Sequence, residues 1–173
     1  TVFDSLRFDL GYTYLNTKVQ DIASTAELLP LLDGTPFGNI TPSVSKGSSF
    51  TNSPKHKLTL GATYTLPLDE SLGRLSIGAL WVHTSKYIND GAVPATVNGI
   101  PLGATPSTDL INANIDWRGV GGSPIDLSLF VTNITKEKFN VASTGAWNSA
   151  GVAEILLNQP RFYGVRVRFS FGD

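Results

Sequence analysis

Few side chains in this sequence have types and spacings that could do chemistry. There are two histidines, His56 and His83, and no cysteine. His56 sits within the basic triplet Lys55-His56-Lys57. A pair of imidazoles could capture haem or a metal, but metal sites use three or four ligands at set spacings, and no third ligand stands with these two. Solvated histidines are the simpler reading. The absence of cysteine removes thiol catalysis, disulfide frameworks and Cys-ligated zinc together. Asp69-Glu70 offers two carboxylates, but adjacent acids in a short polar segment make a solvated turn rather than an acid–base pair across a substrate. There is no Ser-His-Asp arrangement and no glycine-rich phosphate loop. The residues therefore point away from an enzyme, and no metal or cofactor is expected.

Composition narrows the classes further. The 13 basic and 14 acidic residues give a net charge of -1, so no basic field attracts nucleic acid. Charged residues make up only 16%, and polarity comes instead from Thr, Ser and Asn among 17 Gly and 10 Pro. The chain starts at Thr1, contains no Met and shows no leader, as expected of a mature form or a fragment. No apolar run approaches the roughly 18 residues of a spanning helix. That excludes a helical membrane protein but not one made of strands.

The elements that must position any site show a period of two. Apolar residues recur at Leu6, Phe8, Leu10, Tyr12, Tyr14; at Leu58, Leu60, Ala62, Tyr64, Leu66; and at Leu75, Ile77, Ala79, Trp81. They recur again at Ile111, Ala113, Ile115, Trp117; at Ile125, Leu127, Leu129, Val131; and at Tyr163, Val165, Val167, Phe169, Phe171. The intervening face is polar or glycine except at Leu80, Val82 and Phe130. Such alternation predicts six strands with two unlike faces. The best helical candidate, Ile22–Leu29, is short and is followed by Pro30.

Gaps between the runs alternate long and short. An antiparallel up-and-down meander would then gather loops near residues 15–56, 84–108 and 134–161 at one end and tight turns at the other. Unstructured connections of more than about 15 residues are rare in compact soluble domains. Long loops at one end and short turns at the other are the habit of outer-membrane barrels. A soluble β-sandwich with a buried apolar face is the competing reading. Three features favour lipid. Tyr12, Tyr14, Trp81 and Tyr163 fall at the long-loop end, and Tyr64, Trp117, Phe169 and Phe171 at the short-turn end, as two interfacial girdles would. The strands run about ten residues, enough to cross a bilayer at a tilt. The opposite face is polar, as a wet lumen requires. Six strands cannot close a barrel whose smallest examples have eight, so the sheet belongs to something larger.

Three segments carry a family resemblance. Leu127-Ser128-Leu129-Phe130-Val131-Thr132-Asn133-Ile134-Thr135-Lys136-Glu137-Lys138-Phe139 resembles the penultimate strand of TonB-dependent outer-membrane receptors. Pro160-Arg161-Phe162-Tyr163-Gly164-Val165-Arg166-Val167-Arg168-Phe169-Ser170-Phe171-Gly172 resembles their final strand. Asn52-Ser53-Pro54-Lys55-His56-Lys57-Leu58 is similar to the approach to an earlier strand of the same barrels. The resemblance implies an all-β, 22-stranded transmembrane β-barrel with a plug in its lumen. Residues 1–173 would be its last six strands, with the plug and earlier strands absent and both ends on the periplasmic side. It further implies a bacterial outer-membrane receptor importing an iron-siderophore complex or another scarce substrate. Energy would come from TonB, contacted through the missing N-terminal part. Asp173, after the terminal aromatic Phe171, departs from the usual family ending. A passive porin-like channel is the alternative within membranes.

In this setting Asn39-Ile40-Thr41 and Asn133-Ile134-Thr135, which match the glycosylation acceptor pattern, are chance matches. Substrate contact is expected at the long loops: first at Trp147 and Asn148, where a tryptophan sits in a polar stretch with no core to fill, then at Tyr87, Asn89 and Asp90. Arg7, Asp9, Asp116, Arg118, Asp126, Arg166 and Arg168 fall on the polar face, where a cross-strand charge ladder is expected, with plug contact as the second reading. Leu60, Ile77, Ile115, Leu129 and Val167 should face lipid near mid-membrane. Val167→Arg should therefore be costly, and Gly164→Ser on the polar face mild.

Overall fold

A computed structural model describes residues 5–21 and 46–171 of the chain. The helical candidate Ile22–Leu29, the Asn39 acceptor pattern and the Gly172-Asp173 ending lie outside the described residues. Six long strands dominate: β1 (Leu6–Tyr14), β2 (His56–Thr65), β3 (Arg74–Thr84), β8 (Thr108–Arg118), β9 (Ile125–Thr132) and β12 (Phe162–Phe169). They form one sheet in the order β1-β2-β3-β8-β9-β12, with each neighbour antiparallel. This is the meander that the alternating gaps predict.

The connections are more structured than their composition suggests. The β3–β8 excursion contains the short strands β4 (Tyr87–Ile88), β5 (Thr96–Val97), β6 (Ile100–Pro101) and β7 (Ala104–Thr105), pairing as β4–β7 and β5–β6. The β9–β12 connection is a hairpin of β10 (Asn140–Ala146) and β11 (Val152–Leu157), with a four-residue helix, Trp147–Ala150, at its tip. A run of Gly, Pro, Ser and Thr reads as loop because the ladders here are only two to seven residues long. Their pairing comes from tertiary context rather than from alternation.

Register keeps the two faces apart across all six strands. Leu6, Tyr64, Ile77, Ile115, Leu129 and Val165 are successive cross-strand partners. So are Leu75, Trp117, Leu127 and Val167. A one-residue slip on any strand would carry its apolar set to the polar face. The first of these rows starts at the short-turn end of β1 and reaches mid-strand on β12, the stagger of a tilted sheet.

The apolar face is uncovered. Leu10 is 74% exposed, Ile77 47%, Ile115 41% and Val167 65%. Among the described residues only Val19 and Val93 are buried hydrophobics, so nothing packs on this sheet as a sandwich partner would. That observation overturns the soluble-sandwich alternative. A face of this size left in water would be an aggregation surface, and it requires lipid. No described helix is long and apolar enough to cross a membrane, which says nothing of a crossing by strands.

The tight turns brace one another. In the β2–β3 turn the Asp69 carboxylate accepts from the Ser71 hydroxyl (2.6 Å) and backbone N–H (2.9 Å). These bonds, the hydroxyl first, hold its carboxyl below the usual carboxylate range. Asp69 is therefore a turn cap, as its solvated-turn reading implies. Trp117 Nε1 donates to Leu72 O at 2.7 Å, tying the β8 interfacial ring to the neighbouring turn. This suits a ring with an apolar body and one polar edge.

One expectation is revised. A Cβ at Gly164 would come within 2.8 Å of the Phe130 ring, which lies over it. That ring also packs on Phe162 (5.8 Å between centroids) and under the Arg166 guanidinium (5.9 Å). Gly164→Ser must push the ring away and should cost about 1 kcal/mol, the size of such aromatic and cation–π contacts. Heat-modifiable gel mobility of the lipid-folded protein, followed through denaturant, would measure it. No loss would show that the ring moves freely.

The isolated sheet has two open edges, β1 and β12. Unpaired strand edges template association, and here they flank an exposed apolar face. Residues 1–173 expressed alone should therefore not give a soluble monomer. A monodisperse monomer by detergent-free sedimentation, with cooperative unfolding, would refute this.

Candidate functional site: the long-loop end

Both histidines lie at the long-loop end, on the apolar face. His56 is the cross-strand partner of Tyr14. The Tyr12 hydroxyl is hydrogen-bonded to His56 Nδ1 at 2.9 Å, and both tyrosine rings pack on the imidazole. Lys55 Nζ sits 5.8 Å over the Tyr14 ring. Further along the same face Asp109 accepts from Trp81 Nε1 and from His83 Nδ1, each at 2.9 Å. Each histidine is thus held in an aromatic and polar girdle. Among the described residues, no group of three His, Asp or Glu side chains is placed to hold a metal ion.

Above this girdle, the segment leading into β2 meets the β3–β8 excursion. Asn52 N–H donates to Ile88 O (2.7 Å), and His56 N–H donates to Ser85 Oγ (3.0 Å). A cavity of about 660 Å³ opens between the two segments. Phe50, Tyr87 and Pro101 give it an apolar wall, and Lys55, His56 and Lys86 supply polar or cationic groups. Apolar walls with a few polar groups are the usual build of a ligand pocket. Here the arrangement would suit a bulky anion with an apolar or aromatic body.

Behind the cavity lies a buried polar brace. Thr105, 1% exposed, accepts from Asn89 Nδ2 at 2.8 Å and donates to Asn140 O at 2.6 Å. Asn140 Nδ2 donates to Leu102 O at 2.8 Å. The brace fixes the base of the β10–β11 hairpin against the β3–β8 excursion. Gly103 is enclosed within that excursion. Its N–H donates to Pro94 O (2.8 Å), and its carbonyl accepts from Asn89 N–H (2.8 Å) and Asp90 N–H (3.2 Å).

The five sequence candidates separate accordingly. Tyr87 lines the cavity. Asn89 is buried, with its Nδ2 given to the brace and its Oδ1 without a partner, while Asp90 caps its own turn through Ala92 N–H (2.8 Å). Trp147 and Asn148 begin the short helix at the hairpin tip. That tip is roughly 20 Å along the hairpin from Asn140, at about 3.3 Å per residue. Trp147 is not among the residues lining that cavity, and the Asn148 side chain lies outside the described residues. Sequence reading missed Lys55, Lys86 and Phe50 as pocket residues and Thr105 and Asn140 as its support. The Lys-His-Lys triplet was the available signal.

Asn133 gives the motif after β9 a physical cause. It takes a left-handed conformation (φ 51°) and is 4% exposed. Its Oδ1 accepts from Glu137 N–H (2.8 Å), and its Nδ2 donates to Glu137 O (2.9 Å) and Gln159 O (3.1 Å). Asparagine tolerates this backbone and closes the loop with its own side chain. An amide so occupied and buried is no glycosylation acceptor.

A single-layer antiparallel sheet with a lipid-demanding face, girdles at both ends and a built loop end defines the wall of an outer-membrane β-barrel. Residues 2–134 match the family model described as TonB dependent receptor-like, beta-barrel. The chain belongs to the TonB-dependent receptor family, within its β-barrel, and is an integral outer-membrane protein. No curated protein sequence matches it. Among solved structures, it is similar to the siderophore receptor PiuA from Acinetobacter baumannii at 20% identity and TM-score 0.65, covering 96% of this chain and 19% of that one. It is similar to the ferric yersiniabactin uptake receptor FyuA from Yersinia pestis at 12% identity and TM-score 0.59, covering 73% and 18%. BauA, the ferric preacinetobactin receptor from Acinetobacter baumannii, matches at 20% identity and TM-score 0.58, covering 95% and 20%. At these identities the likeness is one of fold. The chain spans about a fifth of the length of these receptors.

Proposed function

We propose that this chain is the C-terminal six-stranded wall of a 22-stranded, plugged barrel that imports an iron-siderophore complex or a similarly scarce substrate, driven through TonB. Family membership supports the receptor class. The single observation that carries substrate capture is the loop-end cavity with Lys55 and Lys86 beside Phe50 and Tyr87. Ferric siderophores are often bulky, anionic and partly aromatic, and such a wall complements them by charge and by ring contact. Lipid covers the apolar face, and the polar face lines the lumen.

The test is uptake of radio-iron siderophores by cells carrying the intact receptor as their only outer-membrane iron importer. Uptake should be abolished by a protonophore. Lys55→Glu/Lys86→Glu should raise the half-saturating substrate concentration about tenfold, the change expected for about 1.4 kcal/mol. Uptake that ignores the protonophore and rises linearly with concentration would favour the passive channel instead. Unchanged saturation in the double variant would remove the cavity from the account.

A further inference from the structure

His56 belongs to both levels of the loop end. It is held in the aromatic girdle, and it also lines the cavity above, together with Lys55 and Lys86. Histidine changes its charge between about pH 5 and 8, whereas lysine keeps its charge across that range. The cations of the cavity are therefore two fixed members and one that depends on a proton. Among the described residues the cavity lining includes no carboxylate, and His56 is in no ion pair. Asp109, further along the girdle, is already bonded to Trp81 and His83. The counter-charge for an imidazolium at position 56 is left for a ligand.

The surroundings let that proton arrive without moving the ring. The Tyr12 hydroxyl stands 2.9 Å from Nδ1. A phenol hydroxyl donates to an unprotonated ring nitrogen and accepts from a protonated one, so the bond survives either state. The Tyr12 ring stacks on the imidazole at 6.2 Å between centroids, and the Tyr14 ring leans on it at 5.3 Å. The groups around His56 are thus Tyr12 and Tyr14 from β1, Lys55 from its own segment, and Ser85, Lys86 and Tyr87 from the β3–β8 excursion. Lys57 falls on the polar face, opposite Thr13 and Thr84. Two lysines repel an imidazolium, and an anion seated among the three relieves that repulsion. By linkage, the proton tightens anion binding by the same factor as the anion tightens proton binding.

We propose that His56 makes anion capture at this cavity proton-dependent: its imidazolium adds a third cation to Lys55 and Lys86, and affinity for a bulky anion rises as pH falls. The proposal rests on the reading of this cavity as the capture site.

The experiment uses the intact receptor in phosphatidylcholine nanodiscs, with pyrene tetrasulfonate as the probe. That anion is flat and aromatic, too highly charged to enter lipid, and its sulfonates stay ionised throughout. Between about pH 7.5 and about pH 5.5 its dissociation constant should fall about threefold, the gain from one more partly exposed cation. His56→Gln should hold the weak value at both pH values and His56→Lys the tight one, with heat-modifiable mobility showing that each variant folds. His83→Gln should keep the dependence, because His83 is bonded to Asp109 and does not line the cavity. Calorimetry of the unmodified receptor at about pH 6.5, in two buffers of unlike ionisation enthalpy, should show proton uptake on binding. If the probe fails to bind, or ignores Lys55→Glu/Lys86→Glu, the capture-site reading falls and this proposal with it. If binding needs the lysines but is equal at both pH values, takes up no proton, or keeps its dependence in His56→Gln, the role of His56 is overturned and the capture site stands.

Discussion

Val167→Arg should lower the stability of the lipid-folded receptor by up to about 2–4 kcal/mol, the full figure being the cost of a cation at the bilayer midplane on a barrel's outer face. Val167 is 65% exposed on the apolar face, opposite Leu127. Its register row continues through Trp117 to Leu75, all apolar, so an arginine there finds no polar partner on that row. The matched control is Thr59→Arg, on the polar face between Gly11 and Val82 in register. It should cost under about 1 kcal/mol, as surface substitutions away from special features do. Folding into vesicles, titrated with denaturant and read by heat-modifiable mobility, compares the two. Equal losses would contradict the assignment of faces.

Gly103→Ala should disorganise the loop end without unfolding the barrel. A Cβ there would collide with Val93 O and press on Asp90 O and Pro94 O at 2.9 and 3.0 Å. Backbone carbonyls cannot swing aside as a side-chain tip can, so the excursion must open, at a cost of about 1–3 kcal/mol. Hydrogen exchange across Tyr87–Thr105 should speed up, with the six long strands unchanged. Uptake should fall with it, because Tyr87 and Pro101 leave their places in the cavity wall. Unaltered exchange would mean that the carbonyl cluster yields more easily than its geometry indicates.

The sheet was legible because alternation is a property of single strands and survives without knowledge of neighbours. Leu6 to Tyr14 and Ile111 to Trp117 declare their faces residue by residue, and the long-short gaps then order the strands. Asn133 was visible as part of a motif, but its cause, a left-handed residue bonded to both ends of a loop, appears only in three dimensions. The loop end was mostly hidden. Lys55 and Tyr87 are 32 residues apart in sequence, and no local pattern states that a cavity forms between them. Asn89 looked available for substrate because an exposed loop asparagine and one buried against Thr105 read alike. The arginines fall on the polar face as expected, but the ion pair Arg7–Asp9 lies within one strand rather than across strands, and Asp116 and Asp126 bond to Ser128, Asn114 and Gly119.

If the apolar face meets lipid and the polar face meets the lumen, their surroundings must alternate residue by residue along each long strand. These 173 residues hold no cysteine, so a single nitroxide can be placed at each position from Thr108 to Arg118 of the intact receptor once any thiol elsewhere in it has been replaced. Collision rates with oxygen, which concentrates in lipid, and with a water-soluble nickel chelate then report each side chain's surroundings. The structure predicts a period of two along β8, with oxygen favoured at Ile111, Ala113, Ile115 and Trp117 and suppressed at Asn112, Asn114 and Asp116. The opposite phase, or no alternation along the strand, would contradict it.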